Sequence, residues 1–161
     1  MNPTNQFSDL LALMARLRTD CPWDKKQTND ILQKYAIEEV FELIEAISND
    51  DKSPLATDDI KGELGDVLLQ IVFHAHLYAE QARFDMADVI YALQEKLIRR
   101  HPHVFDKENL KTDEDVKRRW DEIKQIENQD RPKRLLSDGK AGTALMTAQN
   151  FQKQAAKGGF D

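Results

Sequence analysis

Apolar residues recur at helical spacing along most of the chain, and short polar stretches separate the runs. Phe7, Leu10, Leu11, Met14 and Leu17 step by three and four, which predicts a first amphipathic helix that must end by Pro22. The loop "TDCPWDKKQT" follows. Thr28 can cap a second helix, on which Ile31, Leu32, Tyr35, Ala36, Leu43 and Ile47 keep the spacing to about Ser48. "NDDKSPLATDD" reads as a polar turn containing a proline, and a long third helix is expected from about Asp59 to Gln81. Asp85, with Asp88 after it, opens a fourth helix carrying Met86, Val89, Ile90, Leu93 and Leu97, which Pro102 stops. A shorter fifth is expected from near Thr112, with Val116, Trp120 and Ile123 on one side. No stretch alternates with a period of two for long enough to make a strand. The expected fold is therefore all-α, an antiparallel bundle of about four to five helices.

Residues 1–127 are expected to form this domain, 128–142 a linker and 143–161 an isolated C-terminal helix. The tail faintly echoes the first helix and its loop, since "ALM" leads to "GGFD" as an earlier "ALM" leads to "CPWD". That echo reads as the start of a second copy of the fold.

The polar positions carry the candidate chemistry. Glu38, Glu39, Glu42 and Glu45 crowd into "IEEVFELIEAI", a stretch that otherwise reads as the core side of a helix. At about 100° per residue from Ile31, Glu39 falls near 80° and Glu42 near 20°, both within the apolar stripe, with Glu38 and Glu45 at its edge. On the third helix a narrow polar strip of Asp59, Glu63, Asp66, Gln70 and His74 runs between two apolar faces. Acidic pairs three apart arise often by chance among 29 acidic residues, so placement rather than spacing carries the argument. Two helices joined by a short turn pack antiparallel. Glu39 and Glu42 would then converge with Glu63 and Asp66 on a hard cation such as Mg²⁺, with Mn²⁺ able to substitute. A di-iron bundle needs Glu-x-x-His pairs, and no acidic residue here has a histidine three positions later.

A hard cation commonly meets phosphate, which directs attention to fixed positive charge. "EKLIRRHPHVF" supplies Lys96, Arg99, Arg100, His101 and His103 at the end of the fourth helix. The plain alternative is that these cations complement the helix C-terminus. His74, His76, Trp23 and Trp120 read as packing residues, although Trp23 sits in a loop where a base could stack.

Composition narrows the classes. The 161 residues suffice for one domain, and 40% apolar with 32% charged residues describe a globular chain with a highly charged surface. A net charge of -6 argues against nucleic-acid polymers and anionic membranes as partners. Cys21 stands alone, so no intramolecular disulfide can form, and a cytoplasmic location is expected. No apolar run is long enough for a membrane span.

Taken together, "CPWDKKQT", "EEVFE", "GELGDVL", "RRHPHVF" and "RRWDEIK" resemble a MazG-type nucleoside triphosphate pyrophosphohydrolase over about residues 7–125, and in particular the first copy of two-copy bacterial members. The resemblance implies a dimerising all-α fold that cleaves nucleoside triphosphates between the α and β phosphates with Mg²⁺. It assigns Glu39, Glu42, Glu63 and Asp66 as metal ligands and Lys96, Arg99 and Arg100 as triphosphate contacts. Glu38, at the rim, is the candidate to orient or deprotonate the attacking water, or else a further ligand. Two other readings stand beside the enzyme: a dimerisation or regulatory domain that retains a metal or nucleotide site, and a plain helical scaffold. The scaffold ranks last because it leaves Glu39 and Glu42 on an apolar stripe without compensating charge.

Overall fold

The structure, a computed structural model, describes residues 2–106, 108, 110–129 and 152. The described residues are helical with no strand. Two compact units part between Lys96 and Leu97, inside the fourth helix.

The first unit is built on α1 (Phe7–Asp20), α2 (Asn29–Ser48), α3 (Pro54–Glu80) and most of α4 (Met86–Arg100). α1 stops where Pro22 requires, and a single 3-10 turn at Asp24–Lys26 leads to α2. Thr28 caps α2 as the pattern predicts, its side chain accepting from the Ile31 amide. Arg18 pins the connection. It forks onto Glu80 of α3 at 2.8 and 3.0 Å and donates to the carbonyls of Asp24 and Gln27.

α3 begins five residues before the expected start near Asp59. Ser53 accepts from the Ala56 amide and Pro54 takes the first turn, where its missing N–H would have no helical partner anyway. The proline that suggested a break is therefore a helix start. Between α3 and α4, Asp85 and Asp88 exchange backbone-to-carboxylate bonds at 3.0 and 3.1 Å, closing the expected N-terminal box.

The core of this unit joins Met14, Leu32, Val72, Phe73 and Leu77, with Leu10, Leu11, Tyr35, Leu68 and Leu69 half-buried around them. Burying each such side chain contributes about 1.5–3 kcal/mol, enough to hold three helices together locally. The burial is uneven. α2 has one buried residue, Leu32, and the buried residues of α3 lie from Gln70 onward. Ile37, Val40, Phe41, Ile44 and Ile47 of α2 are left exposed.

The second unit contains the end of α4, the one-turn α5 (Pro102–Phe105), which the pattern did not predict, and α6 (Asp113–Gln129). Thr112 caps α6, accepting from the Asp115 amide at 3.1 Å. α6 has 17 residues against the 15 of α4, so it is the longer of the two, contrary to expectation. Its end at Gln129 takes in the first two residues of the expected linker. The remainder of that linker, and the tail helix apart from Gln152, lie outside the described residues. Ile123 and Pro102 are buried, and Trp120 meets the His101 ring edge-on at 5.0 Å. No described helix is long and apolar enough to cross a membrane.

Candidate metal site

The tight turn between α2 and α3 runs the two helices antiparallel and sets Glu39 against the strip that begins at Asp59. One carboxylate oxygen from each of Glu39, Glu63 and Asp66 lies within 4.8 Å of the others. Glu63 and Asp66 share a face because they are three residues apart on α3. Glu39 and Glu63 are half-buried and Asp66 is exposed. Glu39 Oε1 accepts from Gln70 Nε2 at 3.4 Å.

The electrostatics are those of unsatisfied like charge. Burial pushes the Glu39 carboxyl above its ordinary value, and the charges of Asp66 and Glu42 push it further. Burial and then Glu42 and Asp66 do the same to Glu63. Glu63 Oε2 is also buried without a hydrogen-bond partner among the described residues. An all-oxygen, net negative donor set with an orphaned carboxylate oxygen fits a hard divalent cation and offers nothing to a soft one.

Glu42 lies just outside this trio. It is exposed and lines an open cleft with Glu45, Ala46, Asn49, Ala56, Asp59 and Glu63. The buried side of α2 follows Leu32, Tyr35, Ala36, Glu39 and Leu43, whereas Ile31 is exposed, so the stripe's edge that carries Ile31 and Glu42 faces outward. Glu38 is exposed and outside the trio. His74 Nδ1 meets Asn29 Oδ1 at 2.6 Å, and burial lowers the His74 pKa, which keeps the ring neutral as a packing residue would be. His76 lies 3.5 Å from Glu80, and Trp23 packs edge-on to Tyr35 while staying exposed.

The predicted phosphate contacts divide. Lys96 is exposed on α4. In the second unit, Arg99 Nε donates to Glu127 Oε1 at 2.8 Å and Arg100 Nη2 to Glu127 Oε2 at 2.6 Å. The two guanidiniums, Arg100 first, hold the Glu127 carboxyl down at about 2. Arg100 also lies over the Trp120 ring at 5.6 Å. The sequence reading did not single out Glu127. Its one signal was the general rule that paired cations in a folded chain recruit a carboxylate, which does not say which one.

Residues 27–105 match the MazG nucleotide pyrophosphohydrolase domain. This chain carries a MazG domain. The matched residues include Glu38, Glu39, Glu42, Glu63, Asp66, Lys96, Arg99 and Arg100, while Glu127 lies beyond them. Over 98% of its length the chain is 41% identical to the nucleoside triphosphate pyrophosphohydrolase of Escherichia coli (strain K12), covering 60% of that protein. It is 43% identical to the nucleoside triphosphate pyrophosphohydrolase/pyrophosphatase MazG of Thermotoga maritima over 96% of the chain and 58% of that protein. The chain therefore spans about three-fifths of the length of these curated relatives. The crystal structure of a mazG-related protein from Thermotoga maritima superposes with a TM-score of 0.62 at 25% identity, over 73% of this chain and 98% of that one. Fold and family agree with the helical hairpin described above.

Proposed function

We propose that this chain is a Mg²⁺-dependent nucleoside triphosphate pyrophosphohydrolase, converting NTP or dNTP to the monophosphate and pyrophosphate. The observation that carries the reading is the convergence of Glu39, Glu63 and Asp66 across α2 and α3, with Glu63 Oε2 buried and without a partner among the described residues. The names of the curated relatives support the same activity.

Glu39, Glu63 and Asp66 would hold the cation, with Glu42 at the edge of the cleft completing the set. When bound, a divalent cation supplies charge neutralisation for the triphosphate and acidifies water. Glu38 would orient the attacking water and take its proton on the carboxylate. The water oxygen bonds to the α phosphorus, the bond from that phosphorus to the bridging oxygen breaks, and the electron pair leaves with pyrophosphate. Lys96, Arg99 and Arg100 would contact the triphosphate, following the Lys-x-x-Arg-Arg pattern; guanidinium forks suit phosphate oxygens. The partner is a small nucleotide in this reading, not a nucleic-acid polymer, in keeping with the net charge of -6. A cytoplasmic location is part of the proposal and is supported by the single cysteine.

The proposal includes a homodimer. Ile37, Val40, Phe41, Ile44 and Ile47 expose a continuous apolar side of α2, and a second copy would cover it. Light scattering during size exclusion checks the stoichiometry. A monomer at micromolar concentration would sink this part.

One observation favours the alternative, a regulatory or dimerisation domain with weak or no catalysis: Arg99 and Arg100 already share the Glu127 carboxylate. The deciding experiment is pyrophosphate release from a panel of nucleoside triphosphates with Mg²⁺, using the wild type, Glu39→Gln and Glu63→Gln. Release by the wild type that is lost in both variants supports the enzyme, and no release from a folded wild type leaves the regulatory domain.

A further inference from the structure

We infer that Gln70 is a positioning residue which sets the orientation of the Glu39 carboxylate for cation binding. The inference rests on the reading of Glu39, Glu63 and Asp66 as cation ligands, and extends it to a side chain that would not itself touch the ion.

Gln70 is the buried polar residue of α3. It is 8% exposed and stands one turn beyond Asp66, two residues before the core residue Val72. A position of that burial ordinarily takes an apolar side chain, because an amide removed from water must find partners for all its polar atoms. Gln70 finds one across the helix pair: Nε2 donates to Glu39 Oε1 at 3.4 Å. The separation is long for such a bond, so it contributes direction more than strength. Its sense is fixed by charge. Turning the amide over would set Oε1 against a carboxylate oxygen, acceptor against acceptor, so Nε2 must face Glu39.

That orientation leaves Gln70 Oε1 buried without a donor among the described residues, as Glu63 Oε2 is without a partner. A methionine of similar length would fill the space and leave no orphaned acceptor, so packing does not account for an amide here. Holding a ligand does account for it. Glu39 reaches the trio from α2, while the other two members come from α3, and Gln70 ties that lone α2 carboxylate to the helix that carries its partners. Removing hydrogen-bond partners of this kind typically weakens metal affinity by about 10- to 100-fold.

The test measures binding without turnover. Mn²⁺ is titrated calorimetrically into the full-length wild type and into Gln70→Met and Gln70→Leu, with each fold checked by circular dichroism in chelator. The expected result is a dissociation constant raised about tenfold or more in a folded variant. A folded variant that binds Mn²⁺ within twofold of wild type overturns the role of Gln70 while leaving the metal reading intact. A wild type that binds no Mn²⁺ overturns both. Independently of whether the variants fold, the Gln70 side-chain amide resonances of the wild type are followed by NMR as Mg²⁺ is added. They are expected to move with the same midpoint as the resonances of Glu39 and Asp66. Resonances that stay still while those of Glu39 and Asp66 move would overturn the proposal.

Discussion

Replacing Glu39 with glutamine sets the stability of the metal-free fold against its hold on a cation. The amide keeps an oxygen that can accept from Gln70 Nε2, and the side chain keeps its length, so packing changes little. What disappears is a charge whose oxygen lies within 4.8 Å of an oxygen on Glu63 and on Asp66. At that distance one like-charged neighbour opposes Glu39 by about 1 kcal/mol in a water-like medium and by about 3.5 kcal/mol at an effective dielectric near 20. Asp66 is exposed and the cleft is open, so the lower figure governs, and Glu39→Gln is expected to stabilise the metal-free protein by about 1–2 kcal/mol. In chelator this raises Tm by roughly 2–8 °C for a chain of this size. Saturating Mn²⁺ should reverse the order, because cation at 100 times its Kd adds about 2.7 kcal/mol to the wild type and much less to a variant missing a ligand. The assay is thermal unfolding followed by circular dichroism, first in EDTA and then in excess Mn²⁺. A variant less stable than wild type in EDTA would refute the electrostatic argument. A variant that gains as much from Mn²⁺ as the wild type would refute the placement of Glu39 in the site.

Three further outcomes are expected. Because Arg100 and Arg99 hold the Glu127 carboxyl down from 4.5 to about 2, the ion pair contributes stability above the ordinary glutamate range and loses it as the pH falls through that window. Acid unfolding of the wild type should thus be steeper than that of Glu127→Gln between those values, and parallel curves would contradict the pairing. Leu32→Ala, at a residue 1% exposed, should lower unfolding free energy in urea by about 2–5 kcal/mol, and a loss below about 1 kcal/mol would place the core elsewhere. Gly62→Ala should raise Tm, worth about 0.5–1 kcal/mol, because a methyl group there meets no atom within 4 Å; destabilisation would indicate a close neighbour on that side of α3, such as a second copy.

Local chemistry was the legible part of the sequence. Thr28, the Asp85–Asp88 box and Thr112 announced helix starts because a cap is a contact between residues two or three apart. Ser53 and Pro54 obey the same rules, but the polar run around them read more strongly as a turn, and the start of α3 was set too late. The convergence of Glu39 with Glu63 and Asp66 was legible because helical period and a short turn leave little freedom of register. Glu42 was set too deep for a different reason. A helical wheel gives angles but not which flank of a broad apolar stripe meets the neighbouring helix, and here Ile31 and Ile47 flank the open side. Glu127 was beyond reach, since its partners lie 27 and 28 positions away and their meeting is set by tertiary packing alone.

No residue from 33 to 69 is buried, so packing fastens the α2–α3 hairpin at one end and the chain connection closes it at the other. It is built like a pair of tweezers. Leu32, Val72, Phe73 and Leu77 form the pivot, Glu39, Glu63 and Asp66 sit part-way along the arms, and residues 49–53 join the tips. Repulsion among the carboxylates presses the arms apart and loads the connection at their tips, and a cation that draws the arms together relieves that load. The most sensitive gauge of charge at the site is therefore the joint at residues 49–53, where amide exchange should slow when the arms close, well away from the groups that close them.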